Sequence, residues 1–340
     1  MIVTVTPNPS VDRTVFLDEV VIGSVNRGRR SRSEPSGKGV NVALALHAHD
    51  VPVRAVVTAG GSVGAQLRQM LDAAGLDTVV IPIAGEIRSN ISLTQPNGFV
   101  TKINEAGPLL RREETDLLLA AVTAQVGGAR WLVCAGSLPA GVPVGWYGEL
   151  VEVGHRHGVP VAVDTSGEAL AESLSAQPDL VKPNVHELAE LTGRAPQTLG
   201  EVVEAAQEVR RRGARTVLAS LGGDGAVLVD ATGAVWGHAP VDKVVSTVGA
   251  GDAMLAGFLS SPQGRGEALT AALQWGAAAV QNDGTLFLPN VSGVQVTLSA
   301  TIDLARPLGD HDTAATAEAS ARPGPNASQH TPTYAKKRLL

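Results

Sequence analysis

The run Thr247-Val248-Gly249-Ala250-Gly251-Asp252, continued by the apolar stretch Ala253–Phe258, is where this chain most clearly carries chemistry. Glycines followed by an apolar helical stretch predict a loop feeding a helix N-terminus. The first N–H groups of a helix lack intrahelical partners, and the helix dipole adds positive character there. Gly249, Ala250, Gly251 and Asp252 therefore offer an anion site that a phosphate can approach closely. Asp252 stands where it could accept a proton from a hydroxyl attacking that phosphate. A lone Gly-x-Gly-Asp is better explained by an aspartate that caps its helix, so the catalytic reading needs support from elsewhere in the chain.

Three further motifs bear on this. Ser36-Gly37-Lys38-Gly39-Val40-Asn41 places a lysine between glycines and an amide at a helix opening. It is not a Walker A loop, because position 32 is not Gly and Gly39 follows the lysine in place of Ser or Thr. Its glycines still admit a small polar ligand; the alternative is a glycine-rich helix start with an exposed Lys38. Lys182-Pro183-Asn184 leads to Glu187, three residues on and on the same helix face. That pair either holds Mg²⁺, directly or through its waters, or simply caps the helix. Ser220-Leu221-Gly222-Gly223-Asp224-Gly225 follows a strand and suits either a nucleotide-binding turn or a hairpin. Gly60-Gly61-Ser62-Val63-Gly64 only partly matches a dinucleotide fingerprint, and no acidic residue closes a second strand about 20 residues on.

The elements that must position these motifs alternate along the chain. Strand-like runs occur at Ile2–Thr6, Val53–Thr58, Thr78–Ile83, Trp131–Ala135, Val159–Asp164, Leu180–Lys182 and Thr216–Ser220. Helical periodicity fills Val40–His49, Val63–Ala74, Glu113–Val126, Gly145–His157 and Val202–Arg212. This rotation predicts a doubly covered, mostly parallel sheet with ligands at the carboxyl ends of its strands. Two stretches depart from it: Arg13–Leu17 with Asn26–Ser33, and Ser89–Thr94 with Phe99–Asn104. They alternate polar and apolar residues without an intervening helix, and Asn97-Gly98 favours a tight turn. They predict a small antiparallel sheet, either edge decoration or a lid over the site.

Composition sets the outer bounds. The 340 residues carry a formal net charge of -6, which argues against a nucleic-acid surface. With Gly 38 and Pro 20, the chain stays below the roughly 25–30% of a low-complexity sequence. The single Cys134 excludes an internal disulfide and suits a reducing, cytoplasmic setting. The chain has no apolar run of about 18 residues, as a bilayer span would need, and no visible signal peptide. From Asp310 to Leu340 the sequence turns to Ala, Thr, Pro, Ser and His without periodicity, and is expected to be a disordered tail. The expected organisation is one body over 1–309, with lid strands within about 13–33 and 88–104, followed by that tail.

Taken together, these motifs resemble the ribokinase-type (PfkB) carbohydrate kinases. The resemblance runs from Met1 to about Leu304 and is carried by Thr6–Asp12, Gly37–Ala43, Glu86–Asn90, Gly136–Gly141, Lys182–Asn184 and Thr247–Asp252. It implies a three-layer αβα sandwich with a β lid, and ATP- and Mg²⁺-dependent phosphoryl transfer to a sugar phosphate. It further implies Asp252 as general base, with Gly249, Ala250 and Gly251 as anion hole. Asp12, Gly37, Lys38, Gly39 and Asn41 would line the sugar site. Arg88, with Lys38 and Ser137, would hold the acceptor's phosphate, with Asn90 on the same strand face. Lys182, Asn184 and Glu187 would serve ATP and Mg²⁺. Ser220, Gly222 and Gly225 would lie along the nucleotide, with Asn282 near the adenine.

Gly-Lys-Gly at 37–39 resembles the branch acting on fructose 1-phosphate, with tagatose 6-phosphate and fructose 6-phosphate as alternatives. A homodimer formed through the lid is the expected assembly, with no nucleic-acid or membrane partner. The rival expectation is a silent sugar-phosphate sensor, which would not need Asp252.

Overall fold

Ile2–Thr6 is buried at every position, so it needs cover on both faces, as the strands of a parallel sheet do. The computed structural model describes residues 1–96, 98–262, 264–282 and 291–309. The expected tail, 310–340, lies outside the described residues.

Along the chain the strands are β1 (Ile2–Thr6), β2 (Ser10–Phe16), β3 (Arg30–Ser36), β4 (Val53–Ala59), β5 (Thr78–Pro82), β6 (Arg88–Thr94) and β7 (Val100–Ile103). They continue with β8 (Trp131–Ala135), β9 (Val161–Asp164), β10 (Leu180–Val181), β11 (Val217–Ser220), β12 (Ala226–Asp230), β13 (Gly233–His238) and β14 (Thr297–Ser299). The helices are α1 (Lys38–Ala48), α2 (Gly61–Ala73), α3 (Arg112–Val126), α4 (Trp146–Arg156), α5 (Gly167–Ser173), α6 (Val185–Thr192), α7 (Leu199–Arg211), α8 (Ala250–Ser260) and α9 (Arg265–Ala279).

Ten strands form the main sheet in the order β14-β13-β12-β11-β10-β9-β8-β1-β4-β5. From β5 to β11 every pairing is parallel; β12, β13 and β14 add an antiparallel edge. The chain starts in the middle at β1, runs outward through β4 and β5, then returns to β8 and proceeds the other way. Because crossovers are right-handed, this reversal puts α1 and α2 on one face and α3 to α7 on the other. α1 packs on α8, and α8 on α9. The reversal between β1 and β8 is a topological switch point, where the loops at the carboxyl ends of neighbouring strands part and leave a crevice.

The second sheet has the order β3-β2-β6-β7. Each half is an antiparallel pair, β2 with β3 and β6 with β7, as the alternating stretches predict. The halves are joined by a parallel pairing of β2 with β6 over Ser10–Phe16 and Arg88–Thr94, which the alternation does not reveal. Both strands leave the same end of the main sheet, so they run side by side in one direction. The turn at Asn97-Gly98 is held by Gly98 N–H donating to the Gln95 carbonyl (3.0 Å); Asn97 itself lies outside the described residues. Among the described residues, no helix is long and apolar enough to cross a membrane.

Candidate functional site

The carboxyl ends of two neighbouring strands and the N-terminal turns of two helices deliver polar side chains to one crevice. β9 ends in Asp164, whose side chain is fully buried. β10 runs into Lys182, buried to the same degree as core residues. Lys38 opens α1, and Asp252 sits in the first turn of α8. Asp164 Oδ1 accepts a hydrogen bond from Lys38 Nζ at 2.8 Å, and its Oδ2 lies 3.3 Å from Lys182 Nζ. One carboxylate thus holds two lysines that arrive from different elements. Lys38 Nζ also lies 3.9 Å from Glu187 Oε1.

The charges shape one another. Burial works to raise the Asp164 pKa, but Lys182 and Lys38 outweigh it and hold the group below its ordinary value. Burial likewise works to lower the Lys38 pKa, and the Asp164, Glu187 and Asp252 carboxylates reverse that, so the lysine stays charged. Asp252 is pushed up to about 6, first by burial and then by the Asp164 charge. Lys38, the hydrogen bond from Asn41 Nδ2 to Asp252 Oδ2 (2.7 Å) and Lys182 pull the other way. A carboxylate poised near neutrality, at the edge of an anion-binding helix terminus, is equipped to accept a proton.

That terminus is built locally. Gly249 takes a left-handed conformation (φ 78°), which a residue with a side chain rarely adopts, and turns the chain into α8. Lys182 Nζ lies against the same turn: a Cβ on Gly251 would sit 3.1 Å from it. The incoming loop is tied down by Val245 and Ser246, both donating to the Val280 carbonyl at the end of α9.

A second cluster sits where the lid leaves the core. Arg88 and Asn90 lie two apart on β6, opposite Ser10 and Asp12 of β2. Asn90 Nδ2 donates to Asp12 Oδ1 (2.9 Å) and Ser10 Oγ (3.1 Å). Arg88 Nη2 donates to the Asn8 carbonyl at 3.1 Å. Burial lowers the Arg88 pKa and Asp12 opposes the shift. Ser137, after β8, accepts from Asn8 Nδ2 at 3.1 Å. Gly136 precedes it; a Cβ there would lie 3.9 Å from the Lys38 Cβ, so the two clusters adjoin.

The remaining expected residues also make contacts within the fold. Asn184 caps α6: its Oδ1 accepts from Glu187 N (2.8 Å), and Glu187 Oε2 accepts from Asn184 N (2.9 Å). Oε2 is thus engaged in the cap while Oε1 faces Lys38, and burial raises the Glu187 pKa. Ser220 ends β11 beside Asn184, and Gly222 opens the short turn that follows. Gly225 closes a hairpin, with Leu221 N–H donating to its carbonyl (2.9 Å). Asn282 Nδ2 donates to the Ala278 carbonyl (2.8 Å), finishing α9. Among the described residues no three His, Cys, Asp or Glu converge into a metal cage. Glu187 Oε1, 3.9 Å from Lys38 Nζ, is a hard oxygen donor of the kind that fits a hydrated Mg²⁺.

Asp164 is the residue that sequence reasoning missed. Its signal was available: an acid ending the otherwise apolar run Val161-Ala162-Val163 at the carboxyl end of a central strand. Asn8 was missed as well, although it lies within a motif read for family resemblance.

The family profile of the pfkB family carbohydrate kinases matches residues 6–290. A 1-phosphofructokinase of Bacillus subtilis (strain 168) is 35% identical over 260 residues, spanning 76% of this chain and 85% of that protein. A 1-phosphofructokinase of Haloferax volcanii is 40% identical over 262 residues, spanning 77% and 84%. The crystal structure of phosphofructokinase-2 from Escherichia coli in complex with fructose-6-phosphate superposes with a TM-score of 0.78 at 30% identity. It covers 82% of this chain and 93% of that one.

If Asp252 must be ionised to act, turnover falls as pH drops through about 6. Asn41 stabilises the ionised form, so Asn41→Ala moves this acidic limb to higher pH. A pH–rate profile of both proteins checks it; coincident limbs would detach Asn41 from the proton acceptor.

Proposed function

The chain belongs to the pfkB family of carbohydrate kinases, and from that premise we propose that it transfers the γ-phosphoryl group of ATP to the 6-hydroxyl of fructose 1-phosphate. The products are fructose 1,6-bisphosphate and ADP. The observation that carries the reaction class is the Asp252 carboxylate, raised to about 6 and held by Asn41 at the start of α8. The identity of the sugar is supported by the curated relatives, named 1-phosphofructokinase at 35% and 40% identity, and by Lys38 between Gly37 and Gly39.

In this reading Asp252 takes the proton as the 6-oxygen forms its bond to the γ-phosphorus. The bond from that phosphorus to the bridging oxygen of ADP breaks, and both electrons leave with ADP. The N–H groups of Gly249, Ala250, Gly251 and Asp252 face the equatorial oxygens, where negative charge is spread. Lys38 and Lys182, locked by Asp164, add two fixed positive charges beside the same turn. Asn41, Asp12, Gly37 and Gly39 orient the sugar, while Arg88, Asn90 and Ser137 face the phosphate it already carries. Ser220, Gly222, Gly225 and Asn184 border the nucleotide, with Asn282 at the adenine end. Glu187 would hold Mg²⁺, which would supply charge neutralisation on the ATP phosphates. A pure sensor would not need a carboxylate tuned near neutrality beside an anion hole.

The lid also supports a homodimer. β7 is exposed at all four positions, and Ile22 (96%), Val25 (80%) and Phe99 (68%) carry apolar surface into solvent, an arrangement typical of association sites.

Asp252→Asn is expected to keep the fold and lose roughly 10²–10⁴-fold in turnover, the span of general base catalysis. Coupled ATP assays across fructose 1-phosphate, fructose 6-phosphate and tagatose 6-phosphate should give the highest kcat/KM with the first. Preference for either of the others would reassign the substrate. By light scattering, the wild-type protein is expected to be a dimer and Phe99→Asp to shift it toward monomer; an unchanged mass would place the interface elsewhere.

A further inference from the structure

Asn8 lies in the short connection between β1 and β2, 3% exposed, and is bonded to three segments that are remote in sequence. Its Nδ2 donates to the carbonyl of Ala106, in the return path from the lid, and to Ser137 Oγ, each at 3.1 Å. Its backbone carbonyl accepts from Arg88 Nη2 on lid strand β6. The connection itself is anchored to the core, where Thr58 Oγ1 donates to the Pro7 carbonyl at 2.9 Å. Gly107 leaves the amide room, since a Cβ there would run into Asn8 Oδ1.

These bonds decide how two other side chains present themselves. A hydroxyl has one hydrogen and two lone pairs. With Asn8 donating to one lone pair, Ser137 is left to donate its own hydrogen elsewhere. Arg88 spends one Nη2 hydrogen on Asn8 and one Nη1 hydrogen on the Glu105 carbonyl at 3.4 Å. Its Nε is buried and has no hydrogen-bond partner. Nε together with an adjacent Nη forms the side-on edge that grips a phosphate at two oxygens. The Asn8 side chain thus aims one hydroxyl donor, while its main-chain carbonyl, which a side-chain substitution leaves in place, receives one guanidinium.

We propose that Asn8 is a positioning residue of the acceptor-phosphate subsite: its side chain holds Ser137 in donor geometry and ties it to the lid's return loop, beside the Arg88 guanidinium that its main-chain carbonyl receives. The proposal rests on the reading above that Arg88 and Ser137 face the phosphate already on the sugar. Asn8 acts through these neighbours and not on the reacting atoms. Its loss should weaken the hold on the sugar phosphate and leave the nucleotide side alone.

Steady-state kinetics of the full chain with fructose 1-phosphate and ATP tests this, using Asn8→Ala, Asn8→Asp and Arg88→Ala. Asn8→Ala is expected to raise KM for the sugar phosphate roughly tenfold, the scale of one or two lost hydrogen bonds. KM for ATP should stay within about twofold, since the bonds lost lie on the acceptor side. Asn8→Asp has the same shape, cannot donate from its carboxylate and brings negative charge toward a phosphate, so its effect should be at least as large. It also serves if the alanine variant does not fold. A rise for Arg88→Ala without one for the Asn8 variants overturns the role of Asn8 alone. No rise in any of the three overturns the assignment of the subsite itself. Equal rises in both KM values for the Asn8 variants would make Asn8 a structural residue and also overturn the proposal.

Discussion

Asp164 is the point on which the active crevice depends. A carboxylate with a fully buried side chain bridges Lys38, from the start of α1, and Lys182, from the end of β10. Removing one partner of a buried ion pair typically costs about 3–5 kcal/mol, because the remaining charge is left without compensation. Here a single carboxylate compensates two lysines, so their positions are set jointly. Asp252 feels this cluster directly: burial and Asp164 raise its pKa, while the lysines and Asn41 limit the rise. Keeping Asp252 ionisable near neutrality has a stability cost. Its affinity for a proton is higher folded than unfolded, so stability is lost as pH rises from the ordinary value of 3.8 to about 6. That interval corresponds to about 3 kcal/mol.

The topology explains why the cluster forms where it does. β1, β8, β9 and β10 are neighbours and parallel, so their carboxyl ends open on one side. The reversal of winding between β1 and β8 separates their loops, and the N-terminal turns of α1 and α8 meet beside them through the Asn41–Asp252 hydrogen bond. The lid grows from the same edge: β2 follows β1 and pairs in parallel with β6. A chain of net charge -6 cannot draw two polyanions by its overall field. Under the proposed function that work falls to local devices: two lysines fixed by one carboxylate, an arginine at the base of the lid and a glycine-rich helix terminus.

Much of this architecture was legible because it rests on local signals. The alternation of apolar strands with amphipathic helices marks the sandwich, and the glycines around Asp252 mark the helix terminus. What stayed hidden depends on contacts between distant segments. Asp164 reads as an acid ending a short strand until Lys38 and Lys182 are placed against it. Asn8 gains meaning only when residues 80 to 129 positions away fold onto it. The parallel join of β2 and β6 is invisible to alternation, which reports one strand's faces and not its neighbour's direction. Asn184 and Glu187 show the opposite case: the capping pattern in the sequence is realised in the structure.

The most direct measurement is the pH dependence of kcat/KM for both substrates in Asp164→Asn. Removing this charge takes away a neighbour that raises the Asp252 pKa and leaves the lysines less neutralised, so both changes act in the same direction. The acidic limb should move below the value of about 6 expected for the intact site, and kcat/KM should fall for sugar phosphate and ATP alike as both lysines lose their anchor. A limb that stays in place, with kcat/KM unchanged for both substrates, would contradict the central role given to Asp164.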